Sequence, residues 1–372
     1  MRITLERSVF LKSLNHVQSV VERRNTIPIL ANILLIAEKN RLSLTATDLD
    51  IEIVEAVNAD VVRAGAITAP AHTLYEIVRK LPDGAQVQLE HTSGDTRLTL
   101  SAGRSRFQLS CLPRDDFPVM PAGALPHNFA LQPKEFAAII DKTRFAVSTE
   151  ETRYYLNGIY FHAAVEKQQP VLRGVATDGH RLARYDIEAP KGATELPGVI
   201  VPRKTINEIR KLLDDASGAV EVAVSDSKIR VALGHVVVTS KLIDGTFPDY
   251  QRVIPAGNDK ILELGRQDFL EAVDRVSTVS TEKSRAVKLN LERDKLTLTV
   301  VSPEAGSATE ELFVEYRGEP LEIGFNSRYL LDILERVEGP TVRMLLADSG
   351  APTLVRDAAA EASLFVLMPM RV

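Results

Sequence analysis

One pattern is written three times along this chain of 372 residues: "ITLERSVFLKSLNHV" at 3 to 17, "FALQPKEFAAIIDKT" at 129 to 143 and "LELGRQDFLEAVDRV" at 262 to 276. Phe10, Phe136 and Phe269 mark the same point of each copy and lie 126 and 133 residues apart, a domain-sized period far longer than a solenoid repeat. Three further landmarks recur in the same order. "ITAPAHTLYEIVRKL" from Ile67 is matched by "VIVPRKTINEIRKLL" from Val199 and "IGFNSRYLLDILERV" from Ile323. Thr47-Asp48 in "LTATDLD" stands opposite Thr177-Asp178 in "GVATDGH". "SCLPRDDFP" to Pro118 stands opposite "SKLIDGTFP" to Pro248, and the third copy ends instead on "FVLMPMRV". Three diverged copies of one domain, over 1–122, 123–256 and 257–372, fit the length, which exceeds one ordinary core. Such triplication points to a curved or closed array.

Each copy reads as strands packed on two helices. After Ser8, the expected N-cap, Phe10, Leu11, Leu14, Val17, Val20 and Val21 form the stripe of an amphipathic helix. Leu74, Ile77, Val78 and Leu81, and later Leu330, Ile333, Leu334 and Val337, keep the same helical spacing. Between them run period-2 segments such as "RLSLTATDLDIEIVEAV" and "VKLNLERDKLTLTVV", joined by turns too short for parallel crossovers. The fold class is therefore α+β, with antiparallel sheets. Pro, Gly and Ala gather at 120 to 128 and 254 to 260, where linkers are expected.

Apolar residues make up 45% and charged residues 26% of the chain, as in an ordinary globular protein. The longest apolar runs, "VIVP" and "LFVLM" among them, fall far short of the roughly 20 residues of a membrane helix. The N-terminus lacks the pattern of a secretion signal, so a cytoplasmic location is expected. Cys111 is the single cysteine, which excludes an internal disulfide and a multi-cysteine metal site. The seven histidines lack metal-ligand spacing, and the Walker, GxGxxG, HExxH and GxSxG signatures are absent. No cofactor or metal is expected.

The most enzyme-like string is Thr177-Asp178-Gly179-His180-Arg181, an acid, an imidazole and a guanidinium in one tight turn. The first copy keeps Thr47-Asp48 without the histidine or arginine, which favours turn architecture or the rim of a binding pocket. A nucleic-acid-processing enzyme centred on this turn stays open as an alternative, as does a repeat-built structural protein. Net charge is −5, so cation distribution decides any nucleic-acid reading. Arg23 and Arg24, Arg79 and Lys80, Lys142 and Arg144, Arg203 and Lys204, Arg210 and Lys211, and Arg336 fall at corresponding helix regions. On helix faces turned toward a common axis, they would contact phosphates without reading bases. Arg153, Tyr154 and Tyr155 form a basic-aromatic cluster expected at the start of a strand. Arg97, Arg104 and Arg106 near Phe107 and Leu109 in copy one contrast with Glu304, Glu310 and Glu311 near Thr278-Val279 in copy three. A contact between such opposite ends is head-to-tail, and it either closes into a ring or runs on as a filament.

Taken together, "TLERSVFLKSL", "TIPILANILL", "RYYLNGIYF", "ATDGHRLA", "VIVPRK", "SKLIDGTFPDY", "IGFNSRYLLDIL" and "VLMPMRV" resemble the bacterial DNA polymerase III beta subunit family, the sliding clamps, over the whole chain. The resemblance implies three clamp domains with helices lining a hole and sheets outside, and a head-to-tail homodimer that closes a ring on double-stranded DNA. It implies a non-catalytic processivity role, tethering the DNA polymerase III catalytic subunit. The clamp loader, other polymerases and repair proteins are expected to share its site through short peptides. Carried over by motif, the peptide site comprises Leu156, Thr177, Gly179, His180, Arg181, Leu182, Pro248, Arg252, Val253, Val366, Met368, Pro369, Met370 and Arg371. The implied DNA contacts are Arg24, Arg153, Tyr154, Tyr155 and Lys204, with Glu150 standing where family members often carry an uncharged polar residue. The implied dimer interface sets Arg104, Arg106, Phe107 and Leu109 against Thr278, Val279, Glu304, Glu310 and Glu311.

Overall fold

The computed structural model describes residues 1–121, 123–281 and 285–371. Ala122, at the first expected boundary, and Val372, last of the C-terminal motif, lie outside them. Two compact units emerge. One comprises Met1–Lys134, Lys191–Ala193 and Lys204–Leu242; the other comprises Glu135–Pro190, Thr194–Arg203 and Ile243–Val372. The middle copy of the repeat is divided between them.

In the first unit an eight-stranded antiparallel sheet runs in the order His127–Leu131, Val220–Val224, Lys228–Leu233, Val236–Lys241, Ile51–Asn58, Arg41–Thr47, Asn32–Glu38, Gly65–Pro70. Its central joint pairs Ile51–Asn58 of copy one with Val236–Lys241 of copy two, Val238 opposite Ile53. A second sheet, Asp60–Arg63, Arg2–Glu6, Gln86–Glu90, Arg97–Ala102, Ser105–Ser110, ends on the last strand of copy one. Helices α1 (Arg7–Gln18) and α2 (Ala71–Lys80) pack against each other. Phe10, Leu14 and Val17 bury one face of α1, and Leu74 and Val78 one face of α2, as their spacing predicts. The expected cap is displaced: α1 follows the strand directly with Glu6 as N-cap, and Ser8 Oγ donates to Glu6 Oε1 at 2.8 Å. Val20 and Val21 are buried beyond the helix end, in the turn that follows.

In the second unit α3 (Pro133–Thr143), α5 (Arg266–Ser277) and α6 (Ser327–Leu334) cover a nine-stranded sheet and a four-stranded sheet. The large sheet is ordered Val199–Pro202, Gly158–Glu166, Gln169–Thr177, Arg181–Glu188, Ser363–Leu367, Thr353–Asp357, Thr341–Leu346, Lys260–Gly265, Glu315–Tyr316. Its joint repeats that of the first unit: Arg181–Glu188 of copy two pairs with Ser363–Leu367, the last strand of copy three. The small sheet, Gly306–Phe313, Lys295–Ser302, Ala286–Glu292, Leu321–Asn326, ends on the strand of copy three that corresponds to Ile51–Asn58 and Arg181–Glu188. Gly174 lets α3 lie close on the large sheet, because a Cβ there would stand 2.4 Å from Ile139 Cγ2.

The remaining helix, α4 (Arg203–Leu213), belongs to the first unit from Lys204 onward and buries Ile206, Ile209, Leu212 and Leu213. Just past its end Asp215 meets α1. His16 Nδ1 lies 2.8 Å from Glu55 Oε2 and Nε2 lies 3.1 Å from Asp215 Oδ2, while Ser13 Oγ donates to Glu55 Oε1 and Lys12 lies 3.2 Å from Asp215. Burial opposes charge on this ring, yet the hydrogen bond and charge of Glu55, then those of Asp215, outweigh it and raise the His16 pKa above 6.5. A raised folded pKa stabilises fully below the unfolded value and is lost as pH rises through the folded value. The melting temperature of the parent should therefore fall more steeply than that of His16→Leu as pH is raised from 6 to 9. Parallel curves would remove this role.

Candidate functional site

The turn after Gln169–Thr177 uses up the groups that looked catalytic. Asp178 Oδ1 accepts from His180 N at 2.9 Å and Arg181 N at 3.0 Å, Gly179 N donates to Thr177 Oγ1, and Thr177 Oγ1 donates to Arg181 O at 2.7 Å. The first copy builds the same turn, with Asp48 Oδ1 accepting from Asp50 N and Ile51 N. Leu49 holds φ +81° there, where copy two has Gly179 at +89°. The Thr-Asp pair is thus turn architecture. Asp178 Oδ2 accepts from Arg181 Nε at 3.0 Å, so both oxygens of Asp178 are engaged by the turn and by Arg181.

Arg181 is the pivot of the site. Its guanidinium also donates to Asp332 and, at 2.7 Å, to Phe145 O, with Cζ 4.2 Å from the Tyr329 ring centroid and 5.1 Å from that of Phe145. Every face of the group is engaged, so it stands as a fixed wall. Beside it opens a cavity of about 310 Å³, walled by Leu156, Leu182, Pro248, Val253, Val366 and Met368 together with Tyr155 and Tyr250. Arg153, Thr177, Gly179, Arg181 and Asp249 supply its polar rim. Beneath lies a core of Val175, Ile200, Phe247, Leu354 and Leu364, so the walls rest on packed side chains. An apolar floor with a few placed polar groups suits a short peptide with large apolar side chains.

Several expected residues lie outside this lining. Arg252 is exposed and pairs with Asp249 at 2.8 Å. His180 stacks toward Tyr329, ring centroids 6.2 Å apart. Pro369, Met370 and Arg371 continue past the cavity, where Met370 N donates to Gly324 O at 2.8 Å. Conversely, Arg153 and Tyr155, expected on a DNA face at a strand start, line the cavity, because residues Glu151–Leu156 form 3-10 turns kinked at Arg153. Tyr154 remains 53% exposed. Glu150 grips Arg153 with both oxygens, at 2.7 and 2.8 Å. Tyr250 and Asp249 escaped the sequence reading; "FPDY" at 247 to 250, an aromatic pair around a proline, was the available signal.

Helix cations are less free than their spacing suggests. Lys142 is buried, donating to Arg336 O and pairing with Glu338. Lys204 Nζ meets Glu22, Asp48 at 2.6 Å and Val20 O. Arg210 and Lys211 pair with Asp214 and Glu208. Arg24 is exposed. At the outer ends, Arg104 and Arg106 are exposed, Phe107 is half-buried, and Leu109 packs into its own sheet at 7% exposure. Glu310 is held by Arg275 and Glu311 lies 3.7 Å from Lys295. Thr278 and Glu304 are exposed and Val279 is half-buried.

Comparison with known families gives a match along nearly the whole chain. Residues 1–121 match the DNA polymerase III beta subunit N-terminal domain, 130–249 its central domain and 251–371 its C-terminal domain. The chain belongs to the DNA polymerase III beta subunit family. It is 57% identical to the beta sliding clamp of Caulobacter vibrioides over 372 residues and 40% identical to that of Escherichia coli over 374, covering 100% of both chains in each case. The crystal structure of the DNA polymerase sliding clamp from Caulobacter crescentus superimposes with a TM-score of 0.96 at 56% identity, again over 100% of both chains. The fold is thus the three-domain clamp fold, and the chain a sliding clamp, a processivity subunit without catalytic chemistry. Membership in the sliding clamps implies DNA and a polymerase as partners. Among the described residues no group of His, Cys, Asp and Glu could hold a metal, and no helix is long and apolar enough to cross a membrane.

Proposed function

We propose that two copies of this chain join head-to-tail into a closed ring on double-stranded DNA. The repeated sheet joint carries this reading. Within the chain the last strand of a copy twice pairs with the corresponding middle strand of the copy before it, Val236–Lys241 with Ile51–Asn58 and Ser363–Leu367 with Arg181–Glu188. Applying that rule once more leaves Ser105–Ser110, last strand of copy one, and Gly306–Phe313 of copy three, each at a sheet edge. Arg104 and Arg106 beside one edge and Glu304, Glu310 and Glu311 beside the other supply complementary charge, and Phe313 at 98% exposure supplies apolar surface. Thr278 and Val279 stand at the same end as the acidic edge.

The ring holds DNA by enclosure, with sequence-independent phosphate contact led by Arg24 and assisted by Arg153, Tyr154, Tyr155 and Lys204. The cavity beside Arg181 receives short peptides bearing Gln and one or two large apolar side chains, from the polymerase III catalytic subunit, the clamp loader, other polymerases and repair proteins, in the cytoplasm. His180, Arg252, Pro369, Met370 and Arg371 complete its rim. Loaded onto nicked circular DNA by a clamp loader, the protein should stay bound through gel filtration and leave once the circle is linearised. Retention on the linear product would contradict enclosure. Phe107→Asp should sediment as a monomer and lose retention on the circle, and a persistent dimer would reject the proposed edge.

A further inference from the structure

On the other side of Arg181 from the peptide groove lies a larger cleft, of about 520 Å³. Arg181 lines both, and the Glu150–Arg153 pair spans them, Glu150 in the cleft and Arg153 in the groove. The cleft carries an excess of positive charge. Its carboxylates are already engaged, Asp178 and Asp332 by Arg181 and Glu150 by Arg153. Arg203, Arg285 and Arg328 also line it, and their guanidinium groups have no carboxylate or carbonyl partner among the described residues. Arg203 opens α4 and Arg328 stands in the first turn of α6, both helices lacking an acidic residue in that turn. Cations are disfavoured there by the helix dipole. Ser148 and Thr149 place hydroxyls beside them.

We infer that this cleft binds the carboxylates of an acidic segment flanking the apolar peptide that occupies the groove. The inference rests on the groove reading above and adds the charge of the partner to it. Two observations favour a peptide over nucleic acid. At about 520 Å³ the cleft has the size of a pocket for a few side chains rather than for a duplex. Its lining also mixes three arginines without carboxylate partners among the described residues with three carboxylates, so a strand bearing a charge on every phosphate would bring some of them against Asp178, Asp332 or Glu150. One or two spaced carboxylates can reach the arginines and avoid the acids. Because Arg181 is fixed on every side, it serves as a shared wall over which one peptide can pass from groove to cleft.

The test uses the full chain and three fluorescent peptides: a plain one with Gln and two large apolar residues, and the same peptide extended by Asp-Glu-Glu at either end. One extended peptide should bind about tenfold more tightly than the plain one at low salt. The advantage should shrink as salt rises and vanish in Arg285→Ala/Arg328→Ala, with plain-peptide affinity unchanged. Equal binding of all three peptides by the parent would overturn the acidic flank and leave the groove standing. An advantage that survives in the double variant would overturn the assignment to these arginines. A double variant that keeps the peptide advantage but loses affinity for single-stranded DNA would reassign the cleft to nucleic acid. Failure of the plain peptide to bind the parent would remove the groove reading and this one with it.

Discussion

Arg173→Met is expected to destabilise the second unit by about 3–5 kcal/mol, read from urea unfolding by near-ultraviolet circular dichroism of the tyrosines. The chain has no tryptophan. Arg173 sits on Gln169–Thr177 with its side chain 4% exposed, and its Nε and Nη2 each donate to Asp186, 8% exposed, at 2.7 Å. Nη2 also reaches Glu166 at 2.6 Å, and Nη1 donates to the Tyr250 hydroxyl at 3.3 Å. Removing the guanidinium leaves Asp186 buried without its bidentate partner. The nearest substitute, Arg184 Nη2, is 3.5 Å from Asp186 Oδ2. Arg173→Met/Asp186→Leu should recover most of the loss, because two matched apolar groups strand no charge. Unfolding of the single variant within error of the parent would show that Arg184 suffices. Tyr250 is a wall of the cavity and its hydroxyl also lies 3.0 Å from His162 Nε2, so the same network positions the proposed peptide site.

Deleting residues 368–372 is expected to weaken binding of a plain groove peptide by roughly tenfold to a hundredfold, the range for losing one buried methionine contact. Met368 lines the cavity, and its N–H donates to His180 O at 2.9 Å. Met370 is pinned to Gly324, so the tail is laid along the fold rather than left loose. Both methionines are 39% exposed, and strand Ser363–Leu367 ends before them. The melting temperature should therefore move by only a few degrees. The dimer should persist, since the edges proposed to join are Ser105–Ser110 and Gly306–Phe313. Unchanged peptide affinity in the truncated chain would refute the groove assignment.

Local pattern carried the repeats, the buried faces of α1, α2 and α6, and the Thr-Asp turn, because each depends on residues a few positions apart. The turn shows this most clearly: comparing the copies favours architecture or a pocket rim over chemistry, and Asp48 and Asp178 make the same two backbone bonds. What pairing brings together from afar was not legible. Period-2 alternation says which face of a strand is buried but not which edge it meets, so the joint of Ile51–Asn58 with Val236–Lys241 had no local signal. The same limit hides the ion pairs of the cations. Nothing near Lys204 in "VIVPR" and the residues that follow foretells that Glu22 and Asp48 reach it from more than 150 residues away. Arg153 and Tyr155 stand on short 3-10 turns beside the cavity rather than at the expected strand start, because such turns lack the long periodicity that marks an α-helix.

The two internal sheet joints and the proposed third differ in one respect. Copies one and two, and copies two and three, are linked by chain through 119–126 and 254–259, so either joint, if opened, faces its partner at an effective concentration on the order of millimolar and closes again. Nothing covalent spans Ser105–Ser110 and Gly306–Phe313 of the neighbouring copy. That seam forms only as fast as the free protein concentration allows, and once parted in dilute solution it has no tether to restore it. In the proposed ring only two seams part for good, and opening either one does not break a sheet the chain itself holds shut.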